Sequence, residues 1–248
     1  MSKKIIEIKN LSKKYFIGTY NFQHFKTLLF SSNKEKKEID SRNNFSVIKD
    51  LNLEINKGES IAILGKNGAG KSTLCKIMAR ITEPDEGIIS IDGKLIPMLN
   101  LHYGIELECT GIENIYFLGS SFGFSKKEMD QKISEILNFS EMNRYKDTPL
   151  KKYSSGMFTR LVFSTLVNLD GEIVLVDEIL AVSDKEFKLK CIKKLKEFNE
   201  KGATLICISH EQEVILSLCE KAYVFSEKGI LSDKLEINEA YRIYNNLK

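Results

Sequence analysis

The string Gly65-Lys66-Asn67-Gly68-Ala69-Gly70-Lys71-Ser72 fits G-x-x-x-x-G-K-[ST] without a mismatch, and its setting restricts the fold more than any other feature of the chain. It follows a continuous apolar run over residues 60–64 and leads into a helical pattern with Leu74, Ile77 and Met78 on one face. Strand, loop, helix is the context this motif requires. Glycines let the backbone fold around an anion so that several N–H groups and a helix N-terminus face it. The Lys71 ammonium then adds a full charge at the β and γ phosphates, and the Ser72 hydroxyl offers a magnesium ligand. The motif predicts a nucleoside triphosphate and leaves the class of enzyme open.

Two more apolar runs have polar residues at their carboxyl ends. Residues 172–176 run into Asp177-Glu178, and residues 204–208 into Ser209-His210. Open parallel α/β sheets place ligands at those ends. Asp177 can reach magnesium through water, while Glu178 can polarise the water that attacks the γ phosphate, as a general base. His210 can hydrogen-bond that phosphate. Upstream, Tyr153-Ser154-Ser155-Gly156-Met157 precedes a helix with Leu161, Phe163 and Val167 on its apolar face, and it forms a second candidate anion site. Each element taken singly has a plainer reading: a satisfied acidic pair, a structural histidine, a simple helix cap. Their order and spacing together favour the chemical one.

Composition agrees with a globular α/β chain. Of 248 residues, 42% are hydrophobic and 29% charged, enough to build a core without disulfide or metal staples. The 37 basic and 34 acidic residues cancel to +3, far from the basic excess that would by itself point to nucleic acid. Five widely spaced cysteines without a C-x-x-C pair, and only three histidines, argue against a zinc site or a disulfide framework. The polar, basic start lacks the apolar stretch of a signal peptide, which leads to an expected reducing, cytoplasmic setting. No apolar stretch reaches the roughly 18 to 20 residues of a membrane-spanning helix, so a membrane role would come through a partner.

The expected organisation is a single domain over 1–248. Period-two alternation near the start, through Leu51, Leu53 and Ile55, predicts antiparallel strands, interrupted by an insertion over 16–44 rich in aromatic and charged residues. Residues 104–169 read as an inserted, mainly helical subdomain, with a capping box at Ser125-Lys126-Lys127-Glu128. Ser183 or Asp184 is expected to cap the helix that carries Phe187, Cys191, Leu195 and Phe198. Residues 221–225 and 229–231 read as a hairpin before a final helix.

Phosphate loop, signature before a helix, Asp-Glu after a strand and histidine after the next strand together resemble the nucleotide-binding domain of ATP-binding cassette (ABC) transporters, over nearly the whole chain. The resemblance implies an α/β fold: a P-loop NTPase, with an ABC-type ATPase core, an antiparallel β subdomain and an inserted helical subdomain. It implies ATP and Mg2+ as cofactors, bound by Gly65, Lys66, Asn67, Gly68, Ala69, Gly70, Lys71, Ser72 and Thr73, with Ser72 and Asp177 on the metal and Glu178 and His210 catalytic. Tyr15 matches the aromatic that stacks on adenine; its plainer reading is a strand-end core residue. Ser154, Ser155 and Gly156 match the signature that contacts ATP on the opposite protomer, and Asp184 the loop joining the two sites. A head-to-tail homodimer follows from that correspondence.

Tyr153-Ser154-Ser155-Gly156-Met157, residues 176–182, Phe187 with Lys190-Cys191, and Thr110-Gly111-Ile112-Glu113-Asn114 look like exporters of bacterial polysaccharides, of the capsule, O-antigen and teichoic acid types. That subfamily implies a separate membrane-spanning permease, indirect contact with a lipid-linked glycan, no nucleic acid, and a peripheral place on the cytoplasmic face of the inner membrane. The alternatives are a cassette of another transporter class or a soluble cassette acting on ribosomes or DNA. There are departures from the pattern: the glutamine usual near Leu99 to Tyr103 is missing, and Gly104-Ile105-Glu106-Leu107-Glu108-Cys109 replaces the usual Gly-Phe-His-Pro-Glu-Leu. With its last residue at Lys248, the chain is also expected to lack a carbohydrate-binding domain after the cassette.

Overall fold

The computed structural model describes residues 3–16, 44–99, 101–177, 184–209, 211–226 and 232–247. In chain order these form β1 (Lys4–Phe16), β2 (Asn44–Asn56), β3 (Ser60–Gly65), α1 (Lys71–Met78), β4 (Glu86–Ile91), β5 (Leu95–Met98), α2 (Gly111–Ser121), α3 (Lys126–Ser140) and α4 (Ser155–Leu166). They continue as β6 (Ile173–Asp177), α5 (Lys185–Glu200), β7 (Thr204–Ile208), α6 (Gln212–Leu218), β8 (Lys221–Phe225), β9 (Leu235–Glu236) and α7 (Ile237–Leu247).

The described strands form two sheets. One is antiparallel, in the order β2-β1-β4; the other runs β5-β6-β7-β3-β8-β9, parallel except where β9 joins. Continuous apolar runs make the second sheet because its central strands are covered on both faces. Their alternate residues divide between two cores. Ile61 and Ile63, Ile173 and Leu175, Ile206 and Ile208, and Tyr223 and Phe225 pack with α1 and the antiparallel sheet. Ala62 and Leu64, Val174 and Val176, Leu205 and Cys207, and Ala222 and Val224 pack on the other side with α2 to α7. In β2, Leu51, Leu53 and Ile55 are buried while Asn52 and Glu54 are exposed, the alternation of a half-covered sheet. α1 is therefore clamped between two sheets, which fixes the loop in front of it.

Between β5 and β6, α2, α3 and α4 pack against one another. The box at Ser125 and Glu128 is present, as expected. A second one, at Thr110 and Glu113, starts α2. Asp184 is the residue that caps α5, its Oδ1 accepting from the N–H groups of Glu186 and Phe187, while Ser183 lies outside the described residues. Of the expected C-terminal hairpin, the first arm forms β8. β8 pairs antiparallel with Leu235–Glu236, and residues 229–231 lie outside the described set. A two-residue strand among polar neighbours has too little pattern to be read in advance. Residues 17–43, nearly all of the segment read as an insertion, also lie outside it. Its ends meet, since Phe16 pairs with Asn44.

Candidate nucleotide site

The phosphate loop leaves β3 at the carboxyl edge of the parallel sheet, flanked by β7 and β8, and closes into α1. Gly70 is the N-cap of α1, with φ 100°, and no side chain caps the helix. Any Cβ here would strain the backbone and come within 2.9 Å of the Val47 carbonyl oxygen. The first-turn amides of α1 therefore face the cleft without a competing side-chain acceptor, the arrangement an anion needs. Lys66, Asn67, Gly68 and Ser72 are exposed, Thr73 is half-buried, and Ala69 is buried beneath the loop.

Lys71 is almost wholly buried, and its Nζ donates to the carbonyl oxygens of Gly65 at 2.7 Å and Lys66 at 2.9 Å. The ammonium is thus held across the base of its own loop. Asp177 ends β6, half-buried. Cys75 of α1 is fully buried, and burial pushes its thiol well above the ordinary value; the Asp177 charge raises it further and the Lys71 charge opposes.

Two clefts meet at Ser72. One, of about 610 Å³, is lined by Tyr15, Phe45, Val47 and the loop with the start of α1. The other, of about 1190 Å³, holds Ser72 and Asp177 together with residues of α1 and β5 and with Leu99, Leu101, His102 and Tyr103. A hydroxyl and a carboxylate are hard oxygen donors, and their meeting in one cleft suits a magnesium ion. His102 reaches the same cleft, its ring stacked on Phe158 of α4 at 4.8 Å.

Ser154, Ser155 and Gly156 are exposed at the start of α4, where the Ser154 hydroxyl accepts from the Met157 N–H. They line neither cleft. Within one chain, then, Tyr15, the loop, Ser72 and Asp177 come together and the signature does not. Glu178 and His210 lie outside the described residues; in the chain they follow Asp177 and Ser209.

Sequence reasoning missed several residues that shape the site. Phe45 stands one residue beyond the segment read as an insertion, and no motif marks it. Asn114, almost wholly buried, donates to the carbonyl oxygens of Glu106, Cys109 and Thr110 and accepts from the Glu106 N–H, so it staples the 106–110 turn to α2. Gly111 lets α2 approach Tyr153, whose hydroxyl would stand 2.5 Å from any Cβ. The T-x-x-E spacing at Thr110 was the readable signal for this turn.

Arg160 of α4 is another. It pairs with Glu141 at 2.7 Å and Asp184 at 3.3 Å, and lies 5.0 Å over the Phe187 ring. A hydrogen bond from Lys190 holds the Glu141 carboxyl below its ordinary value, and the Arg160 charge adds to the effect. The signature helix is thereby tied to the start of α5. Exposed partners keep each pair weak, so Arg160→Ala should cost about 1–2 kcal/mol, mostly through lost packing. Melting should fall by roughly 3–6 °C in calorimetry; an unchanged melting temperature would show the cluster to be ornamental.

A parallel sheet with a phosphate loop after its first strand, an antiparallel sheet over α1 and helices inserted before β6 define an ABC-type ATPase. The sequence model of the ABC transporter family matches residues 48–181, and the chain belongs to that family. It is 35% identical over 239 residues to the O-antigen export system ATP-binding protein RfbB of Klebsiella pneumoniae, covering 96% of this chain and 95% of that one. It is 34% identical over 248 residues to the teichoic acids export ATP-binding protein TagH of Shouchella clausii, covering 99% and 67%. With the ABC transporter protein AbcA of Aeromonas salmonicida it shares 39% identity over 187 residues, 75% of this chain and 61% of that relative's length. The fold is similar to that of the dimeric ATP-binding cassette MJ0796 in a post-hydrolysis state with ADP and Pi. There the TM-score is 0.73 at 21% identity, over 94% of this chain and 98% of that one.

Proposed function

We propose that this chain is the ATP-hydrolysing subunit of an exporter of bacterial surface polysaccharide, of the capsule, O-antigen or teichoic acid type. It would work as a homodimer on the cytoplasmic face of the inner membrane, beneath a separate membrane-spanning permease that meets the lipid-linked glycan. Similarity along nearly the whole length to relatives named for O-antigen and teichoic acid export carries this reading. Among the described residues no helix is long and apolar enough to cross a membrane, in keeping with a separate permease. Tyr103, Leu107 and Phe117, all exposed around the larger cleft and α2, offer the permease an apolar seat.

In this reading the first-turn amides of α1 and the Lys71 ammonium hold the β and γ phosphates, and Tyr15 stacks on adenine. Ser72 and Asp177 would hold magnesium, which when bound neutralises charge on the β and γ oxygens. Ser154, Ser155 and Gly156 of the opposite protomer cover the triphosphate when the dimer closes. Glu178 takes the proton of the attacking water while the bond to the β–γ bridging oxygen breaks, and His210 holds the γ phosphate in line.

Cells lacking this chain should keep the glycan on its lipid inside the cytoplasm, and a copy supplied in trans should return it to the surface. Surface glycan unchanged in its absence, measured by labelling intact cells, would remove the export assignment while leaving the ATPase intact.

A further inference from the structure

We infer that Phe45 is a second base-binding aromatic, forming with Tyr15 a two-ring platform for the nucleobase; this rests on the nucleotide-binding reading above. The two residues stand directly opposite each other in the β1–β2 register, so their side chains share one face. Neither enters a core: Tyr15 is 37% exposed and Phe45 53%. Both instead line the 610 Å³ cleft that ends on the phosphate loop. Scattered surface aromatics are ordinary, but a facing pair at the mouth of an anion-binding loop is a shaped apolar wall beside convergent polar groups.

The backbone sets the height of this wall above the phosphates. The β1–β2 register steps from Lys13 opposite Ile48 to Lys14 opposite Ser46, leaving Val47 without a partner of its own. Such a bulge pushes the strand outward locally. Here it brings the Val47 carbonyl oxygen to 2.9 Å from the position of a Cβ on Gly70, so β2 abuts the loop just two residues beyond Phe45. Tyr15 has part of its ring engaged already: the Lys13 ammonium lies 5.6 Å over it and is held there by Asp85 at 2.9 Å. Phe45 beside it widens the apolar area open to a base.

Among the described residues, the polar side chains lining this cleft are that of Tyr15, which belongs to the platform itself, and those of Asn67, Lys71, Ser72 and Thr73 in the loop and the start of α1. The platform grips the face of the base, and stacking tolerates either purine.

The test titrates the full chain calorimetrically with ATP, GTP and inorganic tripolyphosphate, each with magnesium, for wild type, Phe45→Ala and Phe45→Tyr. Phe45→Ala should weaken ATP and GTP binding roughly five- to thirtyfold, leave tripolyphosphate binding unchanged, and melt at the wild-type temperature. Phe45→Tyr should restore both nucleotides. Full ATP affinity in Phe45→Ala overturns the inference, as does an equal loss for tripolyphosphate, which would mark a displaced loop. A wild-type chain that binds neither ATP nor tripolyphosphate overturns the nucleotide-binding reading itself.

Discussion

Lys71→Ala is expected to give a folded chain whose ATP turnover is lower by roughly 10²- to 10³-fold, the loss seen when a positioned charge is taken from a developing anion. The geometry indicates why the fold survives. Nζ donates to the carbonyl oxygens of Gly65 and Lys66; Lys66 is exposed and Gly65 buried, so truncation leaves one acceptor that water can reach and costs about 1–3 kcal/mol at the other, less than the stability of an ordinary domain. Nor does Cys75 of α1 become a buried charge. The Cys75 thiol beneath the loop is held well above its ordinary value chiefly by burial, and Lys71 is the influence lowering it. Removing that charge pushes the thiol further up, so it stays neutral and brings no new pH dependence to stability. Nucleotide binding should weaken along with turnover, because the same charge faces the phosphates before and during reaction. Phosphate release and ATP titration on the purified protein check both effects. Turnover within about tenfold of wild type would contradict the assignment.

What the sequence disclosed about this site follows from how locally each part is determined. β3, β6 and β7 were legible because burial on both faces turns them into uninterrupted apolar runs, and their polar carboxyl ends pointed to one sheet edge. The phosphate loop and the box at Ser125 are written within a few consecutive residues. β4 and β5 were not legible. β4 is an edge strand with Ile88 71% exposed, and β5 is four residues long and contains Pro97, so neither carries a clean period. The Tyr15–Phe45 pair escaped because strand register brings the two together across residues 17–43, and no local pattern encodes that distance. Arg160 escaped for the same reason: its partners Glu141 and Asp184 lie on other elements. The signature showed a plain helix cap from within the chain, and its proposed ligand belongs to a second copy.

Glu178→Gln should separate binding from chemistry where Lys71→Ala cannot. Asp177 pairs with Ile208 at the last rung of β6, at the sheet's carboxyl edge, and the proposed base is the next residue in the chain. Glutamine keeps the size and the hydrogen-bonding reach of glutamate but cannot take a proton from water. ATP affinity should therefore stay near wild type while hydrolysis falls roughly 10²- to 10⁴-fold, the range of a lost general base. Since the proposed closed dimer is held by ATP between Lys71 and Ser72 of one protomer and Ser154 and Gly156 of the other, slow hydrolysis should make that dimer persist. Sedimentation with ATP should show a stable dimer in Glu178→Gln, and ADP should not support it. The double variant Glu178→Gln with Ser154→Arg should remain monomeric, because a long cation at the exposed start of α4 would obstruct the opposing loop. Near-normal turnover in Glu178→Gln would shift the general-base role to another group, and a monomer that hydrolyses ATP at the wild-type rate would remove the need for the shared site.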